Sequence, residues 1–496
     1  MISSNIEQNA SIQDSRNAKL PFYCIMLTLL AVIGGFENGF NTGITNIPEI
    51  VQMDITTYKE QECQTVFQWE IYSGKPDKNW GLAVGSHSMG AIFGGLSAGS
   101  LQTMFGRKNT LIYNSFTWII GGVLLGASVN PVMFTCGRII TGIGSGVGSV
   151  VIPTYLGEIS TIKSRGLIGS AYQDSVVTGI VASQLVGLPL SFIPGWRILL
   201  TLTSAIAIFQ LVLMPIIMVE SPRYLISQNK IEEAKETLQK LRKGYNIDLE
   251  FEEILQGQSV KQINDVNIET GDKYIQNSLV DTNDQFRIKK SASFKELFQD
   301  SYCRRMTFVC IGANLIQQLS GIQGVVFYST AIFLNVMGDS AKYITIIIGG
   351  TTFIVTLIST FLMDRVGRRP LLLTSEICVT ISCLLIVIGS IYQYKILIIA
   401  FLLHVTSFGI ALGSLPYFII SEVIPTRFVS LVGPICLGTN WSANFIVSFI
   451  FPVMEDALKE YTFLMFGAIT FCFVILTWFF VPETKGKSIE EITSGI

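Results

Sequence analysis

Met104-Phe105-Gly106-Arg107-Lys108 returns later in the chain as Arg365-Val366-Gly367-Arg368-Arg369. Gly157-Glu158-Ile159-Ser160, followed by Arg165, returns as Ser421-Glu422-Val423-Ile424 with Arg427. Val219-Glu220-Ser221-Pro222-Arg223 is echoed by Val481-Pro482-Glu483-Thr484-Lys485. Matched positions lie 261, 264 and 263 residues apart (106 to 367, 158 to 422, 220 to 483), so the two halves follow one plan. Each copied motif is charged and stands just past a long apolar run. A duplicated transmembrane bundle has this pattern, and internal repeats underlie many transporter folds.

Outward from these motifs the composition agrees. Only 14% of the 496 residues are charged and 49% are hydrophobic, whereas a soluble chain carries about a quarter charged residues. A net charge of −2 argues against a nucleic-acid partner. The nine cysteines form no CxxC pair and only Cys63 falls in an expected outer loop, so neither a disulfide framework nor a metal site is expected. The first residues, 1–19, are polar and lack a small-residue cleavage site. They read as a cytosolic tail, with the first apolar run retained as a span.

A spanning helix needs about 20 apolar residues. On that scale spans are expected near 20–44, 81–102, 110–129, 131–156, 166–190 and 197–218, then near 306–331, 342–363, 371–392, 395–419, 430–452 and 461–481. The expected fold is an all-α membrane protein of twelve transmembrane helices in two pseudo-symmetric six-helix bundles, 20–218 and 306–481, with a cytosolic linker over 219–305 and a cytosolic tail over 482–496. Connections bearing Arg107-Lys108, Lys163-Arg165, Arg365-Arg368-Arg369 and Lys485-Lys487 alternate with connections poor in basic residues, which by the positive-inside bias puts both termini in the cytosol and the 45–80 loop outside. In the linker, Asn229-Lys230-Ile231-Glu232 suggests a capping box opening an amphipathic helix over 230–243, while 257–290 is polar and without periodicity. Phe294, Leu297 and Phe298 suggest a second short helix.

Several patterns carry no chemistry. The glycines of Gly142-Ile143-Gly144-Ser145-Gly146-Val147-Gly148 lie inside an apolar run with no strand before them, and read as small residues that let membrane helices approach. Gly486-Lys487-Ser488 lacks the first glycine of a phosphate loop, so no nucleotide or other cofactor is expected. His87 and His404 are isolated, and no nucleophile–base pair marks an enzyme. The remaining polar groups lie within spans, where they are costly and become functional candidates. Asn41, Gln173, Gln184, Gln317, Gln318, Gln323, Asn440 and Asn444 are uncharged amides, which donate and accept as a sugar hydroxyl does. Phe327, Tyr328, Tyr417 and Trp441 can stack on a sugar's C–H face or close a pathway.

At these residues the chain resembles the sugar porters of the major facilitator superfamily, close to the facilitative glucose transporters. The resemblance runs from about 20 to 492. It is carried by Gln317-Gln318-Leu319-Ser320-Gly321-Ile322 with Phe327-Tyr328-Ser329, and by Val481-Pro482-Glu483-Thr484-Lys485-Gly486. Ser221-Pro222-Arg223-Tyr224-Leu225, Asp364-Arg365-Val366-Gly367-Arg368-Arg369 and Pro153-Thr154-Tyr155-Leu156-Gly157-Glu158 add to it. The resemblance implies sugar contacts at Gln173, Gln317, Gln318, Gln323, Asn440, Tyr417 and Thr352, and gating at Asn41, Phe327, Tyr328 and Trp441. It implies a cytosolic charge cluster latching the two halves, drawn from Arg107, Glu158, Arg165, Glu220, Arg223, Asp364, Arg365, Arg368, Glu422, Arg427 and Glu483. Departures occur at Gln323 and Thr352, which replace asparagines, at Gly409, which replaces a glutamate, and at Tyr417, where a tryptophan is usual. Arg427 stands two residues early, and span 10 keeps only one proline of a richer stretch.

Proton-coupled relatives carry an aspartate where this chain has Asn41, paired with the arginine matched by Arg138. A neutral amide releases no proton, so the resemblance implies a hexose uniporter, most simply for D-glucose, that works as a monomer in the lipid bilayer of the cell surface. Glu37, one helical turn before Asn41, leaves open a proton-coupled sugar or polyol symporter. A non-transporting sugar sensor is the reading from another class, and the short carboxyl tail and modest linker speak against it.

Overall fold

The computed structural model describes residues 21–46, 78–161, 164–190, 195–255, 294–392 and 394–485. The expected outer loop with Cys63, the 257–290 segment and the Gly486-Lys487-Ser488 stretch lie outside these residues, as do 1–20 and 486–496. In hydrocarbon every backbone N–H and C=O needs a partner in its own segment, so apolar runs of this length become helices. The N-terminal half comprises α1 (Phe22–Ala31), α2 (Ile33–Gly43), α3 (Lys78–Phe105), α4 (Arg107–Gly126), α5 (Pro131–Ile159), α6 (Arg165–Gly187) and α7 (Gly195–Ile217). Short helices α8 (Pro222–Ser227), α9 (Ile231–Leu241) and α10 (Phe294–Gln299) belong to the linker. The C-terminal half comprises α11 (Ser301–Leu319), α12 (Ile322–Met337), α13 (Ala341–Val366), α14 (Arg368–Tyr392), α15 (Tyr394–Ser407), α16 (Leu415–Val423), α17 (Thr426–Leu458) and α18 (Thr462–Phe480). Because α1–α2, α11–α12 and α15–α16 are interrupted single crossings, these make twelve crossings in two sets of six, within a few residues of the expected spans. Among the described residues, eight stretches are long and apolar enough to cross a membrane by length and composition alone.

Close approach in the N-terminal half is set by glycine. A Cβ on Gly142 would sit 2.0 Å from the His87 carbonyl oxygen, and one on Gly90 2.0 Å from that of Ile139, so α3 and α5 touch backbone to backbone. Gly39 against Val176 and Gly179 against Phe36 do the same for α2 and α6. The glycine run of α5 is therefore a packing stripe.

Two crossings of the C-terminal half are broken, which an unbroken apolar run did not announce. The seventh stops at Ser320 and turns through Gly321 at φ +88° before α12 begins. The tenth loosens into a π-helical turn, Phe408–Leu412, ahead of α16. π-turns release carbonyls from the regular ladder, and such turns recur at functional sites.

One local expectation is corrected. Asn229 forms no capping box: it takes a left-handed conformation (φ 61°), and Lys230, with no side-chain cap, precedes α9. The helix is held instead by its apolar face, with Ala234, Leu238 and Leu241 buried.

Candidate functional site

Three elements converge in the C-terminal half. On α11, Asn314, Gln317 and Gln318 are spaced three and four residues apart and share one helical face. Gln317 donates through Nε2 to the carbonyls of Leu412 (2.9 Å) and Gly413 (2.8 Å), which the π-turn frees. Its Oε1 accepts from Asn440 Nδ2, whose second bond goes to the Asn314 carbonyl at 3.1 Å. Asn440 Oδ1 accepts from Gln318 Nε2 (3.1 Å) and from the Tyr417 hydroxyl (3.2 Å). Gln318 Oε1 accepts from Gln323 Nε2 at 2.7 Å and from Asn444 Nδ2 at 3.3 Å. Thus Gln317, Gln318, Gln323, Asn440 and Tyr417 form one uncharged network, buried except at Tyr417, which is 39% exposed. Inside it the Gln323 Oε1 and Asn314 Oδ1 are buried acceptors without a hydrogen-bond partner. Leaving such groups unpaired costs about 1–3 kcal/mol each, so the cluster is primed to bind something that donates.

The other expected contact residues stand apart from this network. Thr352 on α13 bonds back to the Ile348 carbonyl at 2.9 Å, as a hydroxyl in a membrane helix commonly does. Gln173 on α6 is half-buried and makes no hydrogen bond to another described residue. Among the gating residues, Tyr328 is fully buried, donates to the Ser448 carbonyl (3.0 Å) and stacks on Phe451 with ring centroids 4.9 Å apart. Phe327 is buried edge-on to it. Trp441 faces the His87 ring edge-on at 6.5 Å, its Nε1 buried and unpaired. His87 bonds to Thr141 and Ser145, and His404 to Ser382, so both histidines pack helices together.

In the N-terminal half the polar groups behave differently. Asn41 donates to the Glu37 carbonyl (3.0 Å) and Thr203 (3.2 Å), while its own carbonyl accepts from Arg138 Nη1 at 2.7 Å. Arg138 also reaches the Val84 carbonyl and is fully buried. The Glu37 carboxylate is equally buried, and neither of its oxygens has a partner.

The halves meet along α3–α17 and α6–α13. Ser88 donates to Asn444, Gly81 lies under Phe449 and Pro452, and Gly349 lies against the Gln184 side chain. These contacts sit at the end of the bundle remote from α8 and α9 and reach about its middle.

The charge motifs resolve into two copies of one device. Gly106 (φ +88°) and Gly367 (φ +111°) turn the chain where a side chain would strike Glu220 and Glu483 respectively. Glu220 then accepts from the backbone N–H of Arg107 (2.9 Å) at the start of α4, and Glu483 from that of Arg368 (3.1 Å) at the start of α14. Carboxylates at helix N-termini are favourable. Burial holds the Glu220 carboxyl above the usual carboxylate range, against the pull of the Ser221, Lys108 and Arg107 N–H groups. Arg107 pairs with Glu158 at 2.9 Å, and Arg368 with Glu422 at 2.9 Å. Both pairs close inside their own half: each glycine turn aims its arginine at the end of a helix in the same bundle. Arg223 and Arg365 are exposed. The side chains of Arg165, Asp364 and Arg427 lie outside the described residues.

The family model described as "Sugar (and other) transporter" matches residues 27–495. The chain belongs to this family. It is 30% identical over 489 residues, covering 96% of this chain and 92% of the relative, to "Solute carrier family 2, facilitated glucose transporter member 3" of Canis lupus familiaris. It is 31% identical to "Facilitated glucose transporter protein 1" of Caenorhabditis elegans, over 95% and 90% of the two chains. The fold is that of the xylose transporter XylE from E. coli in an inward-open conformation, with TM-score 0.74, 22% identity, and 95% and 99% of the chains covered. The protein is thus a multi-pass membrane protein of the major facilitator fold.

Two contributors escaped the sequence reading. Asn314 was legible as the residue three before Gln317 on the same face. Arg242 was not: it donates to the carbonyls of Ile159 (2.9 Å) and Ser160 (3.1 Å) and pairs with Glu250 at 2.8 Å, fixing α9 to the end of α5.

Proposed function

We propose that this protein carries a hexose, D-glucose in the simplest case, across the plasma membrane by facilitated diffusion, with both termini in the cytosol and a monomer as the working unit. The observation that carries the reading is the uncharged amide network of Gln317, Gln318, Gln323 and Asn440, completed by Tyr417. Its groups both donate and accept, and they exchange their mutual bonds for those of a sugar's hydroxyls without moving a charge into hydrocarbon. Gln173 from the facing bundle and Trp441 beside Asn440 complete the contacts, while Phe327, Tyr328 and Asn41 close the outer side. The two bundles rock about this site, with the Arg107–Glu158 and Arg368–Glu422 pairs stiffening the cytosolic ends. Relatives about 30% identical that bear the name facilitated glucose transporter support the substrate and the uniport.

Proton-coupled symport is the second reading, and one observation favours it: Glu37 is buried with both oxygens unpaired, beside the helix turn that holds Asn41. Uptake of labelled glucose into liposomes holding only this protein tests both. Uniport equilibrates glucose and ignores an imposed pH gradient. Accumulation driven by the gradient overturns uniport, and absence of flux despite measurable binding overturns transport itself.

A further inference from the structure

A groove of about 1230 Å³ opens where the start of α1, the end of α7 and the linker helix α9 meet. Its walls change character with height. Phe22 and Ile216, 80% and 77% exposed, form the side continuous with the spanning helices. Lys108, Lys240 and Lys243 form the rim, with Glu236 as the one acidic residue of the lining. Lys108 Nζ reaches the Pro215 carbonyl at 3.2 Å, and Lys240 and Lys243 have no ion pair among the described residues. Pockets for small molecules run to roughly 300–1,000 Å³, so the groove exceeds what a single sugar or phosphate needs. A cationic rim above an apolar wall, at the level where spans end, is complementary to an amphiphile with an anionic head.

We propose that this groove binds an anionic phospholipid of the cytosolic leaflet, its head phosphate on Lys108, Lys240 and Lys243 and an acyl chain along Phe22 and Ile216. The assignment to that leaflet rests on the orientation proposed above; the binding itself does not depend on which sugar is carried. Occupancy bears on transport through Arg242, which ties α9 to the α5 terminus beside Glu158. A bound lipid therefore braces the same end of the bundle that holds the Arg107–Glu158 pair.

Native mass spectrometry of the purified full chain, titrated with phosphatidylserine, phosphatidylcholine or soluble glycerophosphoserine, tests the proposal. The wild type retains phosphatidylserine in preference to phosphatidylcholine, and glycerophosphoserine does not displace it. Lys240→Gln with Lys243→Gln weakens retention by about 30-fold, since each basic side chain near an anionic surface contributes about fivefold. Ile216→Gln, on the apolar wall, weakens it independently. Equal retention of both lipids, an unchanged affinity in the double variant, or displacement by the soluble head group overturns the proposal. Because binding is read directly, loss of glucose flux with retention intact strikes the transport reading alone.

Discussion

The two halves of the molecule descend from one plan, yet they spend their polar residues differently. At the linker end the copies remain nearly superimposable in logic: a left-handed glycine, an arginine opening a helix, a carboxylate capping it, and a second carboxylate pairing with it. Midway through the bundle they have parted. The N-terminal half packs backbone against backbone through Gly39, Gly90, Gly142 and Gly179, and buries Glu37 and Arg138 with no ion pair to either among the described residues. The C-terminal half breaks two helices and fills the gap with neutral amides. Duplication supplied two equivalent scaffolds; one carries the close-packed glycine frame and the other the neutral amide network.

The sharpest break in that comparison comes from glycine. Gly142→Leu, with backbone 2.0 Å from its first side-chain carbon, is expected to separate α3 from α5 and abolish folded, glucose-transporting protein. Gly433→Ala in the C-terminal half, where nothing lies within 4 Å, leaves uptake intact, as size-exclusion profiles and flux will show. If both behave alike, the N-terminal half is no more a frame than its partner.

Asn440→Ala removes bonds to Gln317, Gln318 and Tyr417 at once. Uptake should fall by ten- to a hundredfold, the equivalent of about 1–3 kcal/mol for stranded buried amides. Thr352→Ala, outside the network, should change flux by less than about threefold. Equal losses would dissolve the distinction between network and bystander.

A smaller effect separates paired from shared charges. Arg107→Ala and Arg368→Ala should each lower thermal stability by about 1–2 kcal/mol, as hydrogen bonds to charged groups do. In the double variant the losses should add to within about 0.5 kcal/mol, because the two pairs share no partner. A coupling well above that marks a latch spanning the halves.

Smallest is the pH response of the Glu220 cap. Burial raises its carboxyl pKa in the folded protein, so the neutral form is favoured there and stability from this group is present at low pH and lost as pH rises through the raised value. Glu220→Gln, which keeps an oxygen for the N–H groups of Arg107 and Lys108, should flatten the melting temperature above the usual carboxylate range. An unchanged pH profile would exclude Glu220 as its source.

Charge motifs and apolar runs were legible because they are local: a repeat, a helix length and a glycine turn each declare themselves within a few residues. The amphipathic helix α9 was legible for the same reason, through Ala234, Leu238 and Leu241. Asn229 misled because a capping pattern and a left-handed turn call for the same residue type. Thr352 and Gln317 are both polar residues of spans, and sequence alone ranks them together; only the packing of α11 against α16 and α17 separates the one that joins a network from the one that bonds to its own helix.

By itself, then, the chain of residues determined a twice-built bundle of membrane helices with neutral amides at its heart, since hydrocarbon admits little else and a repeat is visible wherever it occurs. Tertiary structure alone decided that Arg107 and Arg368 each find a glutamate within their own half, and that the amides of two separate crossings bond to one another and to a tyrosine of a third. Those outcomes depend on distances between residues up to 126 positions apart, and no local propensity sets them.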